Sequence, residues 1–274
     1  MAEPLSPGVE LTRLRTAAPL VHNITNFVAM NVMANVQLAI GASPAMIHAR
    51  EEAAEFASIA SALTVNIGTL SPEWLAAMHD AAAAATAAGR SWVLDPVAAG
   101  ATGFRRRAAA ELLALSPTVI RGNASEVIAL AASAGISAAP EMSGKGVDAS
   151  DPVAAAEKAA EALARSSGAV VAVTGVEDYV TDGSRRARIA NGHALMPRVT
   201  ALGCALTGVV GAFLGAGSPA FDGTITALAY YGLAGEQAAQ HAGGPGSFLP
   251  AFLDALAAIG PEELERGARI QTTD

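Results

Sequence analysis

A single cysteine, Cys204, occurs among 274 residues, which leaves no partner for an internal disulfide and no basis for a cysteine-built metal cluster. The five histidines lie far apart and form neither an HxH nor an HExxH spacing, so a zinc site is not expected. No Gly-x-x-x-x-Gly-Lys-Ser/Thr run is present, which excludes a P-loop on motif grounds. Basic residues are also few. Seventeen Lys and Arg against 25 Asp and Glu give a formal net charge of −8, the wrong balance for nucleic acid or an anionic membrane surface. The densest basic run, Arg105-Arg106-Arg107, reads as the solvated start of a helix. The first residues show neither a basic n-region nor an apolar h-region, so no secretion signal is expected and the cytoplasm is the expected location.

Apolar residues, by contrast, make up 52% of the chain, enough for a sizeable core and consistent with one domain over residues 1–274 whose ends are frayed. Two stretches free of charge, His22–Ala49 and Val199–Phe221, exceed the ~20 residues a bilayer needs. The first carries Asn23, Asn26, Asn31, Asn35 and Gln37, and the second is broken by five glycines and Pro219. Both therefore read as buried helices of a water-soluble fold, packed inside it or against a neighbouring subunit. Gly211-x-x-x-Gly215 suits such close helix packing.

Short runs rich in β-branched residues alternate with long Ala-rich stretches of high helix propensity. Leu63–Gly68, Ser91–Asp95, Thr118–Asn123 and Ala169–Gly175 read as buried parallel strands, with helices near 72–89, 105–115, 124–134 and 151–167. This βαβα pattern predicts an α/β fold with a central, mostly parallel sheet between helical layers, and ligands at the carboxyl ends of the strands. Residues 137–150 read as a long loop, Tyr179–Asp182 with Arg188–Ile189 as an edge hairpin about Asp182-Gly183, and 261–274 as a short helix with a frayed tail.

Chemistry-bearing residues gather at those strand ends. Asp95 and, one strand on, Glu126 of Asn123-Ala-Ser-Glu126 supply two carboxylates able to hold a hydrated Mg²⁺ on phosphate oxygens. The same residues also suit plainer roles, Asp95 before Pro96 as a turn former and Glu126 in a capping box with Asn123. The Thr174 hydroxyl and the Gly175 amide can bond phosphate, as can Arg121, which equally suits a surface ion pair. Gly203-Cys204 adds a glycine turn at a helix start, where free amides accept anionic charge and a thiol has a depressed pKa. A packed small hydrophobe is the plainer reading of Cys204.

These segments resemble the hydroxyethylthiazole kinases. His22-Asn-Ile-Thr-Asn26, Asn31 with Ala34-Asn35, Gly41-Ala-Ser-Pro-Ala-Met46, Asn66-Ile-Gly-Thr69, Leu94-Asp-Pro-Val97, Arg121-Gly-Asn-Ala-Ser-Glu126, Val173-Thr-Gly175 and Gly203-Cys204 occur in that family's order over roughly residues 10–255. The resemblance implies a ribokinase-like three-layer αβα fold and the ATP- and Mg²⁺-dependent phosphorylation of the hydroxyl of 4-methyl-5-(2-hydroxyethyl)thiazole, a salvage step toward thiamine. It further implies that Asp95 and Glu126 organise Mg²⁺, that Arg121, Thr174 and Asn123 contact ATP, and that the Gly203 and Cys204 amides form an anion hole. By the same resemblance Asn26, Met46, Gly68 and Ala201 line the thiazole pocket, Cys204 faces the reacting hydroxyl as base or positioner, and the enzyme is a homotrimer with sites between subunits. One departure stands out. The family's Val-Thr-Gly-Thr-Gly-Cys is here Val199-Thr-Ala-Leu-Gly-Cys204, with Ala201-Leu202 in place of Gly-Thr. A pyrimidine-alcohol kinase, a thiazole-binding protein and a thiol hydrolase using His193 are the competing readings.

Overall fold

The computed structural model describes residues 5–136 and 152–273; the loop expected over 137–150 lies outside them. Helix α1 (Pro7–Ala17) leads into strand β1 (Leu20–Ile24), helix α2 (Met30–Ile40), strand β2 (Ser43–Ala45) and helix α3 (Arg50–Ile59). Strand–helix pairs follow: β3 (Ala62–Asn66) and α4 (Pro72–Ala87), β4 (Ser91–Asp95) and α5 (Gly103–Leu113), β5 (Val119–Asn123) and α6 (Ala124–Ser133). Then come α7 (Pro152–Ser167), β6 (Val170–Thr174), β7 (Asp178–Thr181), β8 (Arg186–Ile189), α8 (Leu202–Gly215), α9 (Ala220–His241), α10 (Pro245–Ala258), α11 (Pro261–Gly267) and β9 (Ile270–Thr273).

The strands form one nine-stranded sheet in the order β2-β1-β3-β4-β5-β6-β7-β8-β9. Pairs from β2 to β6 are parallel and those from β6 to β9 antiparallel. Side chains on a strand alternate between faces, so each buried strand feeds two cores. Val93, Val170 and Ala172 join α1, α2, α8, α9 and α10 on one face; Trp92, Leu94, Val171 and Val173 join α3 to α7 on the other. The result is three layers with all parallel strands ending on one rim.

Three expectations need correcting. The uncharged stretch 22–49 is not a buried helix: it holds most of β1, then α2, then β2. It lacks charge because Val21 to Ile24 are buried in a strand flanked by β2 and β3, and Gly41 in the left-handed region (φ 96°) ends α2. The Asp182-Gly183 hairpin forms, but not at the edge, because β9 pairs with β8. Ile270 and the threonines after it thus continue as strand where fraying was expected. The second uncharged stretch contains α8, and no helix among the described residues is long and apolar enough to cross a membrane.

Candidate active site

Parallel register sets the site. Asn66 and Asp95 are partners at the ends of β3 and β4, and Asn123 and Thr174 are partners at the ends of β5 and β6. Over this rim α8 begins, with Ala201 as its N-cap in the left-handed region (φ 66°, ψ −5°). The first intrahelical bond runs from the Ala205 amide to the Ala201 carbonyl at 2.8 Å. A helix start leaves the amides before it without intrahelical partners, here those of Leu202, Gly203 and Cys204.

The turn is therefore made by Ala201, not by the glycine beside the cysteine. Gly203 has no positive φ, and a Cβ there would meet the Arg121 guanidinium at an ordinary 3.7 Å. An alanine in the left-handed region carries a steric cost of about 1 kcal/mol that glycine escapes.

Asp95 is the centre of the polar network. It is fully buried, and its Oδ2 accepts from Asn66 Nδ2 at 2.7 Å and Thr207 Oγ1 at 2.8 Å. Arg121 Nη1 stands 3.8 Å away. Burial pushes the Asp95 carboxyl up to about 6 against the pull of Arg121. Arg121 also donates to the Gly203 carbonyl at 2.9 Å and to Thr174 Oγ1 at 2.7 Å, so one guanidinium joins β5, β6 and the start of α8.

On the other flank, Asn26 Nδ2 donates to Asn66 Oδ1 at 2.9 Å and to Cys204 Sγ at 3.3 Å. Gly68 packs under Asn26: a Cβ there would lie 2.8 Å from the Asn26 side chain. Cys204 does not have a depressed pKa. Burial, reinforced by the Asp95 carboxylate, pushes the thiol up and outweighs the Asn26 and Asn66 amides that favour its thiolate.

The structure thus brings Asp95, Arg121, Thr174, Gly203, Cys204, Asn26 and Gly68 into one connected cluster, with Ala201 at its helix start. Glu126 realises its capping box with Asn123, at 2.9 and 3.0 Å, and accepts from the Ala98 amide at 3.0 Å. The Gly175 amide is taken by Asp178 Oδ1 at 2.9 Å, so the phosphate contact expected of that N–H is already spent. Met46 follows β2 at the sheet edge and is partly buried against the core on the α1, α2, α8, α9 and α10 face of the sheet. Arg105 is half-buried, unlike Arg106 and Arg107, and donates to the carbonyls of Ile67, Gly68 and Val97.

Two further polar partners had no assigned role in the sequence, Asn66 and Thr207. Thr207 lies three residues after Cys204 and so on the same helical face, which was the available signal.

Among the described residues no group of three or more His, Cys, Asp and Glu could enclose a metal. Mg²⁺ asks for less, one or two carboxylates with water and phosphate oxygens completing its shell. Asp95 Oδ1 is buried without a hydrogen-bond partner, and Glu126 lies near enough to raise the Asp95 pKa, so the donor set suits that ion.

The sequence profile of the hydroxyethylthiazole kinase family matches residues 11–262. A hydroxyethylthiazole kinase of Cereibacter sphaeroides is 65% identical over 96% of this chain and 98% of its own. The solved hydroxyethylthiazole kinase of Pyrococcus horikoshii superposes with a TM-score of 0.89 at 40% identity, covering 98% of this chain and 99% of that one. The pyridoxal kinase of Staphylococcus aureus, solved with AMP-PCP and pyridoxal, shares the fold at a TM-score of 0.64 and 16% identity, over 93% and 98% of the two chains. With this rim of strand ends beneath a cysteine-bearing helix start, the chain belongs to the hydroxyethylthiazole kinase family.

Proposed function

We propose that the protein transfers the terminal phosphoryl group of ATP to the hydroxyl of 4-methyl-5-(2-hydroxyethyl)thiazole, producing the thiazole phosphate used in thiamine salvage. The observation that carries this reading is the position of Cys204, whose sulfur touches the Asn26–Asn66 pair while its backbone amide belongs to the open end of α8. An acceptor hydroxyl beside that sulfur has the helix-start amides facing the oxygens of the transferred group. In-line transfer through a loose transition state needs alignment and charge stabilisation more than a strong base. A thiol held above its usual pKa suits that demand, because it orients the hydroxyl without adding negative charge. Cys204 is thus a positioner in its resting, neutral form.

The remaining roles follow the cluster. Arg121, already bridging Thr174 and Gly203, faces the phosphates together with Thr174, and Asn123 borders the nucleotide at the end of β5. Asp95 and Glu126 hold Mg²⁺, which when bound neutralises phosphate charge. Asn26, Met46, Gly68 and Ala201 wall the thiazole pocket. We read the enzyme as one domain, because a single sheet runs through it, and as a homotrimer with sites between subunits. Exposed Phe27, Val28 and Leu38 on the segment from Asn26 to α2 support that assembly.

The test is ADP release from Mg-ATP by the purified protein with the hydroxyethylthiazole, with the hydroxymethylpyrimidine half of thiamine, or with neither. ADP release dependent on the thiazole is the expected result. Its absence overturns the reading.

A further inference from the structure

We propose that Arg105 is a positioning residue for the acceptor alcohol: its guanidinium fixes the turn after β3 that seats Asn26 against Cys204. This rests on the thiazole kinase reading above.

Arg105 occupies the third position of α5, whose N-cap Thr102 accepts its amide at 3.2 Å. A cation in the first turn opposes the helix dipole, so local preference argues against this residue here. Its neighbours Arg106 and Arg107 are exposed, whereas Arg105 turns inward. A local rule broken in this way points to a tertiary or functional demand.

That demand is visible at the strand ends. Arg105 Nη1 donates to the Ile67 carbonyl and, at 3.0 Å, to the Val97 carbonyl, and Nη2 donates to the Gly68 carbonyl. The three acceptors follow Asn66 on β3 and Asp95 on β4, so one planar fork ties the exits of the two strands that carry the polar network. A lysine ammonium lacks that fork.

Gly68 is the transmitting residue. Its amide donates to Asn66 Oδ1 at 2.9 Å and its carbonyl accepts from Arg105, so both of its backbone polar groups are pinned. The same Asn66 oxygen accepts from Asn26, whose nitrogen reaches Cys204 Sγ. Gly68 has no room for a Cβ beneath Asn26, hence a shift of this turn moves Asn26. The nucleotide side, Arg121 with Thr174 and Gly203, makes no use of these carbonyls. The Val97 carbonyl shares its peptide with the Ala98 amide that donates to Glu126 at 3.0 Å, so releasing Arg105 loosens the alcohol's seat through the Ile67 and Gly68 carbonyls and reaches the ATP side only through Val97.

The experiment measures initial rates with thiazole and ATP varied separately for wild type, Arg105→Met, Arg105→Lys and, as a control of equal charge loss, Arg107→Ala. Expected is a thiazole KM raised at least tenfold in Arg105→Met with the ATP KM within twofold, a smaller rise of the same selectivity in Arg105→Lys, and no change in Arg107→Ala. A thiazole KM within twofold of wild type, or both KM values rising together, overturns the proposal. Should Arg105→Met fail to fold, the Arg105→Lys measurement decides on the same criterion. A wild type without thiazole-dependent ADP release defeats the functional reading instead, so the two failures are distinct.

Discussion

Asn26 Nδ2 donates to Cys204 Sγ across 3.3 Å, joining residues 178 positions apart in the chain. The bond favours a thiolate, yet burial and the nearby Asp95 carboxylate win and keep the sulfur protonated.

Alkylation of this one cysteine by iodoacetamide should therefore accelerate only above the ordinary thiol range, beyond about pH 8.5. Half-maximal reactivity near pH 7 would contradict a neutral positioner. In turnover, Cys204→Ala should lower kcat roughly tenfold, the scale of a lost positioning contact. Cys204→Asp should remain active. Insensitivity to both substitutions would leave the thiol a packing group only.

Ala201 sets a second expectation. Because it adopts the left-handed region at the start of α8, Ala201→Gly should stabilise the fold. The net gain is at most about 0.6 kcal/mol once the greater freedom of glycine in the unfolded chain is subtracted. Ala201→Val should destabilise, since a β-branched residue fits that region worst. Urea midpoints at constant m-value decide both.

Packing of α8 on the sheet gives a third. At Gly211 an added Cβ would lie 2.6 Å from Thr64 Cγ2, whereas Gly246 on α10 has open space around it. Gly211→Ala should cost about 1–3 kcal/mol by overpacking, while Gly246→Ala should cost nothing. Equal effects at the two sites would rule out contact between α8 and β3 as the cause.

His22 supplies a pH dependence. Its Nε2 lies 2.8 Å from the Ile47 carbonyl, its Nδ1 is buried without a partner, and burial lowers its pKa from 6.5 to about 4. The folded state thus resists protonation, so this group's contribution is complete above pH 6.5. It is lost as pH falls toward 4, a change of about 3 kcal/mol. Asp95 and Asp178, both pushed up to about 6 by burial, act in the opposite direction: their folded forms bind protons more readily, and stability falls as pH rises through 6. The difference in stability between wild type and His22→Gln, followed from pH 7 to pH 4, isolates the histidine. It should shrink on acidification, and a constant difference would refute the assignment.

Much of the site was legible because parallel strands expose their last residues on one rim, and Asn66, Asp95, Asn123 and Thr174 end their strands as polar residues after apolar runs. The pairing of Asp95 with Thr207 was not, since it joins residues 112 apart through the seating of α8. Nor was the direction of the Cys204 shift, which burial decides and a helix start alone does not. Arg105 misled for a related reason: three arginines in a row read as solvent-facing, and only the nearness of the first turn of α5 to the exits of β3 and β4 lets the first of them turn inward. The N-terminal uncharged block hid two strands, because absence of charge reports burial and not its period.

The antiparallel edge has a consequence during synthesis. Strand β8 ends at residue 189 and its partner β9 begins at 270, so at roughly 5–20 residues per second the ribosome leaves β8 without its outer neighbour for on the order of 4–16 s. Unpaired strands of nascent chains are templates for aggregation. Arg186 and Arg188, alternating with apolar Ala187 and Ile189 along β8, place on this edge the kind of charge that disfavours pairing with another chain before β9 is added.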